Sequence, residues 1–309
     1  MTRTATPTSP PLDPRRVARG IRRRVLGHVV AHGGGYLSQA CSAAEILATL
    51  YARVLRLGPS LGPARPAPFT GVPGPGRPTR TGAAYHGARA PDLDRLFFSP
   101  AHYALVLYAA LVEVGRLDAE ALDDFNRDGS TVELIAAEHS PGVEAMPGSL
   151  PQALSQAGGV ALARRLRGEA GRTFVFMSDG ELQEGQAWEA MAALAFHGLG
   201  GVALYVDVNG QQCDGRTEAV ISAEPLAARL RAFGAVVHEV DGHDPDALAA
   251  PAAAPPGRAP LVVLAHTDPC RGCALLADRA PRLHYLRFRD DEERAAYAAL
   301  LADEGWGEA

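Results

Sequence analysis

Two short apolar, β-rich runs, at 173–177 and 202–208, lie either side of a segment with helical spacing that carries Glu181, Glu184 and Glu189. Strand, helix and strand in that order form a right-handed crossover, which makes the two strands parallel neighbours in one sheet. Each run ends in turn chemistry: Ser178-Asp179-Gly180 after the first, Asn209-Gly210 after the second. Asp179 and Asn209 therefore fall at the carboxyl ends of parallel strands, the edge at which open α/β sheets bind ligands.

An aspartate carboxylate and an asparagine amide oxygen are hard donors suited to Mg²⁺ or Ca²⁺. A helix N-terminus beside them adds free N–H groups and a positive dipole end, and Gly180 lets the backbone come close to an anion. The set suits a metal-bound diphosphate. Taken singly, the same residues also read as an Asp N-cap and an Asn-Gly turn.

Composition narrows the chemistry. The 309 residues, 47% of them hydrophobic, can bury a full core, and a formal charge of −5 argues for neither nucleic acid nor a membrane surface as partner. All the basic side chains other than histidine are arginine, which removes a phosphate-loop lysine, a Schiff-base lysine and a pyridoxal phosphate anchor. Four cysteines, an N-terminus without an apolar signal core and the lack of a run near the roughly 20 apolar residues of a membrane span predict a reduced, cytoplasmic protein. Cys270-Arg-Gly-Cys273 is a single CxxC without a second ligand pair, so it is a weak redox or zinc signal.

The segment 178–215 resembles the thiamine diphosphate signature of the transketolase family: a GDG opening (here Ser178-Asp179-Gly180), E-G and W-E-A on the helix, an asparagine thirty residues after the aspartate, then Asp214-Gly215. Asn209 is one of only two asparagines in the chain, the other being Asn126. Further blocks follow in family order. Gly33-Gly34-Gly35 precedes a helix of the form SAAEIL from Ser42, with Ser42 and Glu45 as a capping box. Asp94 to Ala104 is similar to DRFxLSKGHA and contains His102; Pro141 to Gln152 is similar to PGVExxTGSLGQ; Val240 to Asp244 matches VDGHD; His284 matches a late family histidine. Departures are Tyr36 where the common sugar-phosphate enzymes carry a substrate histidine, Pro151 and Ala153 in place of glycines, and the loss of two lysines around His266 to Cys273.

The resemblance implies a doubly wound parallel α/β sheet with helices on both faces, covering about half of a transketolase. Residues 1–14 are expected to be disordered, 15–309 to form one domain, and the Pro/Gly-rich 58–91 to be an irregular surface insertion. Helices are expected at 15–32, from 42, at 156–167 and 224–233 and from 290, with further strands at 235–240 and 261–265. It also implies a thiamine diphosphate- and Mg²⁺-dependent transfer of a two-carbon ketol or related acyl-anion unit, working with a separate C-terminal subunit in an α₂β₂ assembly. Asp179, Asn209 and the carbonyl of Gln211 would hold the metal. Gly180 and Glu181, the backbone of Gly148, Ser149 and Leu150, and His102 and His284 would meet the cofactor. The two histidines would also move protons or contact an oxyanion, Glu184 would join a carboxylate network at the subunit interface, and Tyr36 would face substrate, which points to a non-phosphorylated acceptor. Two other readings keep the same motifs: the α chain of a 2-oxo acid dehydrogenase, and a non-catalytic scaffold with a decayed site. A nicotinamide-binding Rossmann enzyme lacks its G-x-G-x-x-G.

Overall fold

A computed structural model describes residues 12–306 apart from 73 and 77–80. Most of the expected N-terminal disorder thus lies outside the described residues, but Asp13 and Pro14 belong to the first helix. In α1 (Pro14–His32), Asp13 caps the start by accepting from the Arg15 N–H, proline fits the first turn, and Gly33 ends it at φ 80°. β1 (Gly34–Gly35) leads into α2 (Leu37–Thr49), whose 13 residues are all buried.

This helix begins five residues before the expected Ser42, and the expected capping box does not form. Surrounded by protein, Ser42 and Glu45 point at buried partners instead of the helix's own amides. The Ser42 hydroxyl donates to Asp207, and Glu45 receives two hydrogen bonds from the equally buried Arg22. His243 closes this second group, with Nδ1 3.1 Å from Glu45 Oε2, an oxygen it shares with Arg22, and Nε2 accepting from the Asp268 N–H.

Among its described residues the insertion at 58–91 is irregular except for a 3₁₀ turn at Gly82–His86 that buries Ala83, Tyr85 and His86, so part of it is core and not surface. A Cβ on Gly82 would lie 1.7 Å from the Ser140 carbonyl oxygen, which only glycine avoids.

The chain then supplies β2 (Arg95–Phe98), a strand not anticipated inside its motif, followed by α3 (Ala104–Glu113), α4 (Gln152–Leu166) and β3 (Thr173–Ser178). Next come α5 (Gly185–Phe196), β4 (Val202–Val208), the hairpin β5 (Gln211–Gln212) and β6 (Gly215–Arg216), and α6 (Thr217–Val220). The chain continues with α7 (Leu226–Ala232), β7 (Val236–Asp241), α8 (Pro245–Ala253) and β8 (Leu261–His266). It closes with α9 (Ala274–Ala277), β9 (Leu286–Arg287) and α10 (Asp291–Ala302).

Five strands form one parallel sheet in the order β2-β3-β4-β8-β7. Strand alternation sends Phe174, Phe176, Ala203 and Tyr205 to a core shared with α1, α2 and α3, and Val175, Met177, Leu204 and Val206 to a core shared with α4, α5 and α7. A sheet covered on both faces needs apolar residues at nearly every position, which β3 and β4 supply. β7, at the edge, is largely exposed. The architecture is the doubly wound α/β sheet the sequence predicts.

Candidate active site

The carboxyl ends of β3 and β4 open into a cleft of ≈ 300 Å³ lined by Asn209, Gly180, Gln211, His102, His284 and Leu150 among others. Asp179 and Asn209 are brought together as expected. The Asp179 carboxylate accepts from the Gly180 N–H at 2.9 Å and from the Gly210 N–H at 2.9 Å, so the two strand ends are tied through it. Among the described residues it forms no ion pair. Burial, reinforced by the nearby Asp207 carboxylate, pushes its pKa up to about 8.

The segment after Asp179 is a 3₁₀ turn (Asp179–Gln183) rather than the start of the α-helix, which begins at Gly185. Its capping box is made by Ser178 and Glu181, so the Glu181 carboxylate is already engaged: it accepts from the Ser178 N–H at 2.8 Å and from the Ser99 hydroxyl. Burial raises Glu181 to about 7. Glu184 sits exposed at the rim, as the residue before α5.

At the other end of the cleft four rings meet, of which His102 and His284 line it. Tyr36 lies 5.6 Å from His102, 5.5 Å from His284 and 4.9 Å from Tyr285, centroid to centroid, and the two imidazoles are 4.9 Å apart. Their backbone support is the antiparallel ribbon of β1 with β9. Ser38 and Gln39 add side-chain bonds to the carbonyls of Leu283 and His284 at 2.7 and 2.9 Å. Burial, with His284 alongside, lowers the His102 pKa to about 3, so its ring is neutral; burial also lowers His284, partly offset by Asp214. The Tyr36 phenol is raised by burial and by Tyr285. Of the loop Gly148-Ser149-Leu150, only Leu150 lines the cleft; Gly148 and Ser149 are exposed.

The donors at the strand ends bear on whether a divalent cation and a diphosphate would fit. Among the described residues no group of three His, Cys, Asp or Glu gathers as a cage. The available donors are instead one carboxylate without a cation, the Asn209 amide oxygen, and a Gln211 side-chain oxygen that is buried with no partner. A Cβ on Gly180 would stand 3.2 Å from the Gln212 Cβ and 3.8 Å from the Gln211 carbonyl oxygen, so glycine keeps this approach open. The residues fit a hard cation carrying an anionic group.

Sequence reasoning missed Asp207 and Tyr103, which meet the Asn209 amide nitrogen, and Thr267, which bonds Asp207. The available signal was one acidic residue in the apolar run 202–208. It also missed Tyr285, which stands just before a two-residue strand too short for any periodicity. A larger, mostly apolar cavity of ≈ 460 Å³ under the 58–91 insertion brings none of these residues together. The four cysteines are free, and Cys270 and Cys273 share only a backbone turn.

Residues 86–256 match the family described as transketolase, thiamine diphosphate binding domain. A transketolase family protein of Sinorhizobium fredii is 32% identical over 279 residues, covering 89% of this chain and 90% of the relative. The 6-deoxy-6-sulfo-D-fructose transketolase subunit of a Clostridium strain is 30% identical, over 94% of this chain and 96% of its own. An apulose-4-phosphate transketolase subunit from Actinobacillus succinogenes is 28% identical, over 92% and 94%. The crystal structure of Campylobacter jejuni transketolase shares the fold with TM-score 0.71 at 20% identity, over 94% of this chain but 46% of that one, so this chain spans just under half of that enzyme. A family match over residues 86–256 and relatives alike along their whole length agree: the chain belongs to the transketolase family and carries its thiamine diphosphate-binding domain.

Proposed function

We propose that this chain is the diphosphate-binding subunit of a split transketolase, dependent on thiamine diphosphate and Mg²⁺, that transfers a two-carbon ketol or related acyl-anion unit with a separate C-terminal subunit. The observation that carries the reading is the pairing of a buried, cation-free Asp179 with Asn209 at adjacent strand ends. Both the Clostridium and the Actinobacillus relatives are named as subunits, which supports a partner. We take the assembly to be α₂β₂ and the compartment to be the cytoplasm, where four free thiols persist. No described helix is long and apolar enough to cross a membrane.

Asp179, the Asn209 amide oxygen and the Gln211 carbonyl would hold the metal, with Ca²⁺ an equally hard alternative. Gly180 would admit a diphosphate oxygen, and the Gly148–Leu150 backbone would approach the thiamine. The bound cofactor supplies the electron sink. His102, neutral at pH 7, acts as a hydrogen-bond partner to a substrate oxygen, whereas His284, beside Asp214, is the better proton carrier. Glu184 is free to join carboxylates of the partner subunit. Tyr36 offers a phenol and an apolar wall where a phosphate would need charge-assisted donors, which favours a non-phosphorylated acceptor of specialised metabolism.

Asp179→Ala and Asn209→Ala should each abolish Mg²⁺-dependent thiamine diphosphate binding by the assembled enzyme, measured by calorimetric titration. Unchanged affinity in both would sink the assignment and promote the scaffold reading.

A further inference from the structure

We propose that Asp207 is a positioning residue that turns the Asn209 amide oxygen toward the metal site; this deepens the reading above and rests on Asn209 being a ligand. Asp207 lies on β4 two residues before Asn209 and is fully buried. Strand alternation points it with Tyr205 toward the α1–α3 face, where Ser42 of α2 and Tyr103 stand.

Four donors converge on its carboxylate: Ser42 Oγ at 2.6 Å, Tyr103 Oη at 3.2 Å and Asn209 Nδ2 at 3.1 Å on one oxygen, and Thr267 Oγ1 at 2.5 Å on the other. Each hydroxyl has one hydrogen to give. Ser42 and Tyr103 give theirs to Asp207, so both present lone pairs to Asn209, whose Nδ2 lies 3.0 Å from Tyr103 Oη and 3.4 Å from Ser42 Oγ. The amide thus faces three acceptors with its nitrogen. If it were flipped, its oxygen would lie against a carboxylate and two lone pairs.

The oxygen is left pointing the other way, where it accepts from the Gln211 N–H at 2.9 Å and keeps a second lone pair for a ligand. The same bond fixes the peptide beside the Gln211 carbonyl. One buried carboxylate therefore orients an amide that carries no charge of its own, using α2, the 101–103 turn and the residue after β8 as braces.

The chain's two asparagines make this directly readable. Asn126 is exposed and serves as a reference, so isotope labelling of asparagine nitrogen gives two side-chain NH₂ pairs in the full chain. In the wild-type chain the Asn209 pair should be protected from exchange with water, and manganese(II) should broaden it at concentrations that spare Asn126. In Asp207→Ala the protection should vanish, and the manganese needed should rise about 10- to 100-fold. Tyr103→Phe removes one brace with little change of shape; it should shift both readouts in the same direction and serves where Asp207→Ala does not fold. Protection and manganese response unchanged in the folded variants would overturn the proposal. If manganese leaves the wild-type Asn209 pair sharp while Asp207→Ala still loses protection, the metal reading falls and the orientation stands.

Discussion

At its inner end the cleft is braced by Asp207, whose four donors come from four separate segments, while at its outer end Tyr36, His102, His284 and Tyr285 meet ring against ring. Hydrogen bonds to a buried carboxylate have fixed directions and leave one arrangement. Ring contacts at 4.9–5.6 Å tolerate many pairings of similar size. Under the proposed function the first end would grip cofactor and metal, and the second would face substrate.

The largest effect should come from the support of the inner end. Glu45 lies one turn after Ser42 on α2, and its partner Arg22 is as buried as it is. Arg22→Ala leaves Glu45 with His243 alone, and breaking a buried pair from one side costs about 3–5 kcal/mol. Urea unfolding measures it; a loss under about 1 kcal/mol would mean that α2 is held by apolar packing and that the inner end needs no such support.

Acid should separate the two ends more gently. His102 at the outer end and His86 in the body have folded pKa values of about 3 and about 4, against an ordinary 6.5. Below pH 6.5 the unfolded chain binds protons that the folded one refuses. The stability these two histidines contribute is therefore fully present above 6.5 and is lost as pH falls toward 4, by up to about 1.4 kcal/mol per pH unit for each histidine. His102→Gln should flatten the stability curve between pH 6 and 4 by about one proton. An unaltered slope would show that the ring takes its proton in place, beside Tyr36 and His284.

Smallest in stability is Tyr36→Phe, which keeps the ring contacts and should change unfolding free energy by no more than about 0.5 kcal/mol. Its effect should appear in kcat/KM for the acceptor, measured on the enzyme reconstituted with its partner. The useful comparison sets xylulose 5-phosphate with ribose 5-phosphate against hydroxypyruvate with unphosphorylated acceptors. Efficient turnover of the phosphorylated pair by the wild-type enzyme would show that Tyr36 does not exclude the usual substrates.

The βαβ unit is legible in the sequence because its periodicity changes where Ser178-Asp179-Gly180 and Asn209-Gly210 mark the turns. The start of α2 is not, since Leu37 to Ala40 show no amphipathic stripe in a helix buried all round, and Ser38 and Gln39 find their partners 245 residues away. Ser42 and Glu45 have the spacing of a capping box, and tertiary partners claim both. The box that does form, Ser178 with Glu181, has the same spacing, but the sequence places Glu181 against the cofactor instead. The ring cluster cannot be read locally, because Tyr36 and His284 are joined only when β1 and β9 pair.

The strand order also decides how the molecule would come apart. β7 precedes β8 along the chain but lies outside it in the sheet, with Val236 49% exposed. An edge strand detaches with less loss of buried contact than a central one, so local unfolding should begin there. Peeling away α7 and β7 would leave β2, β3, β4 and β8 paired and Thr267 still braced on Asp207. A protease could then nick the folded chain between 220 and 241 while the strands that carry the cleft stay assembled.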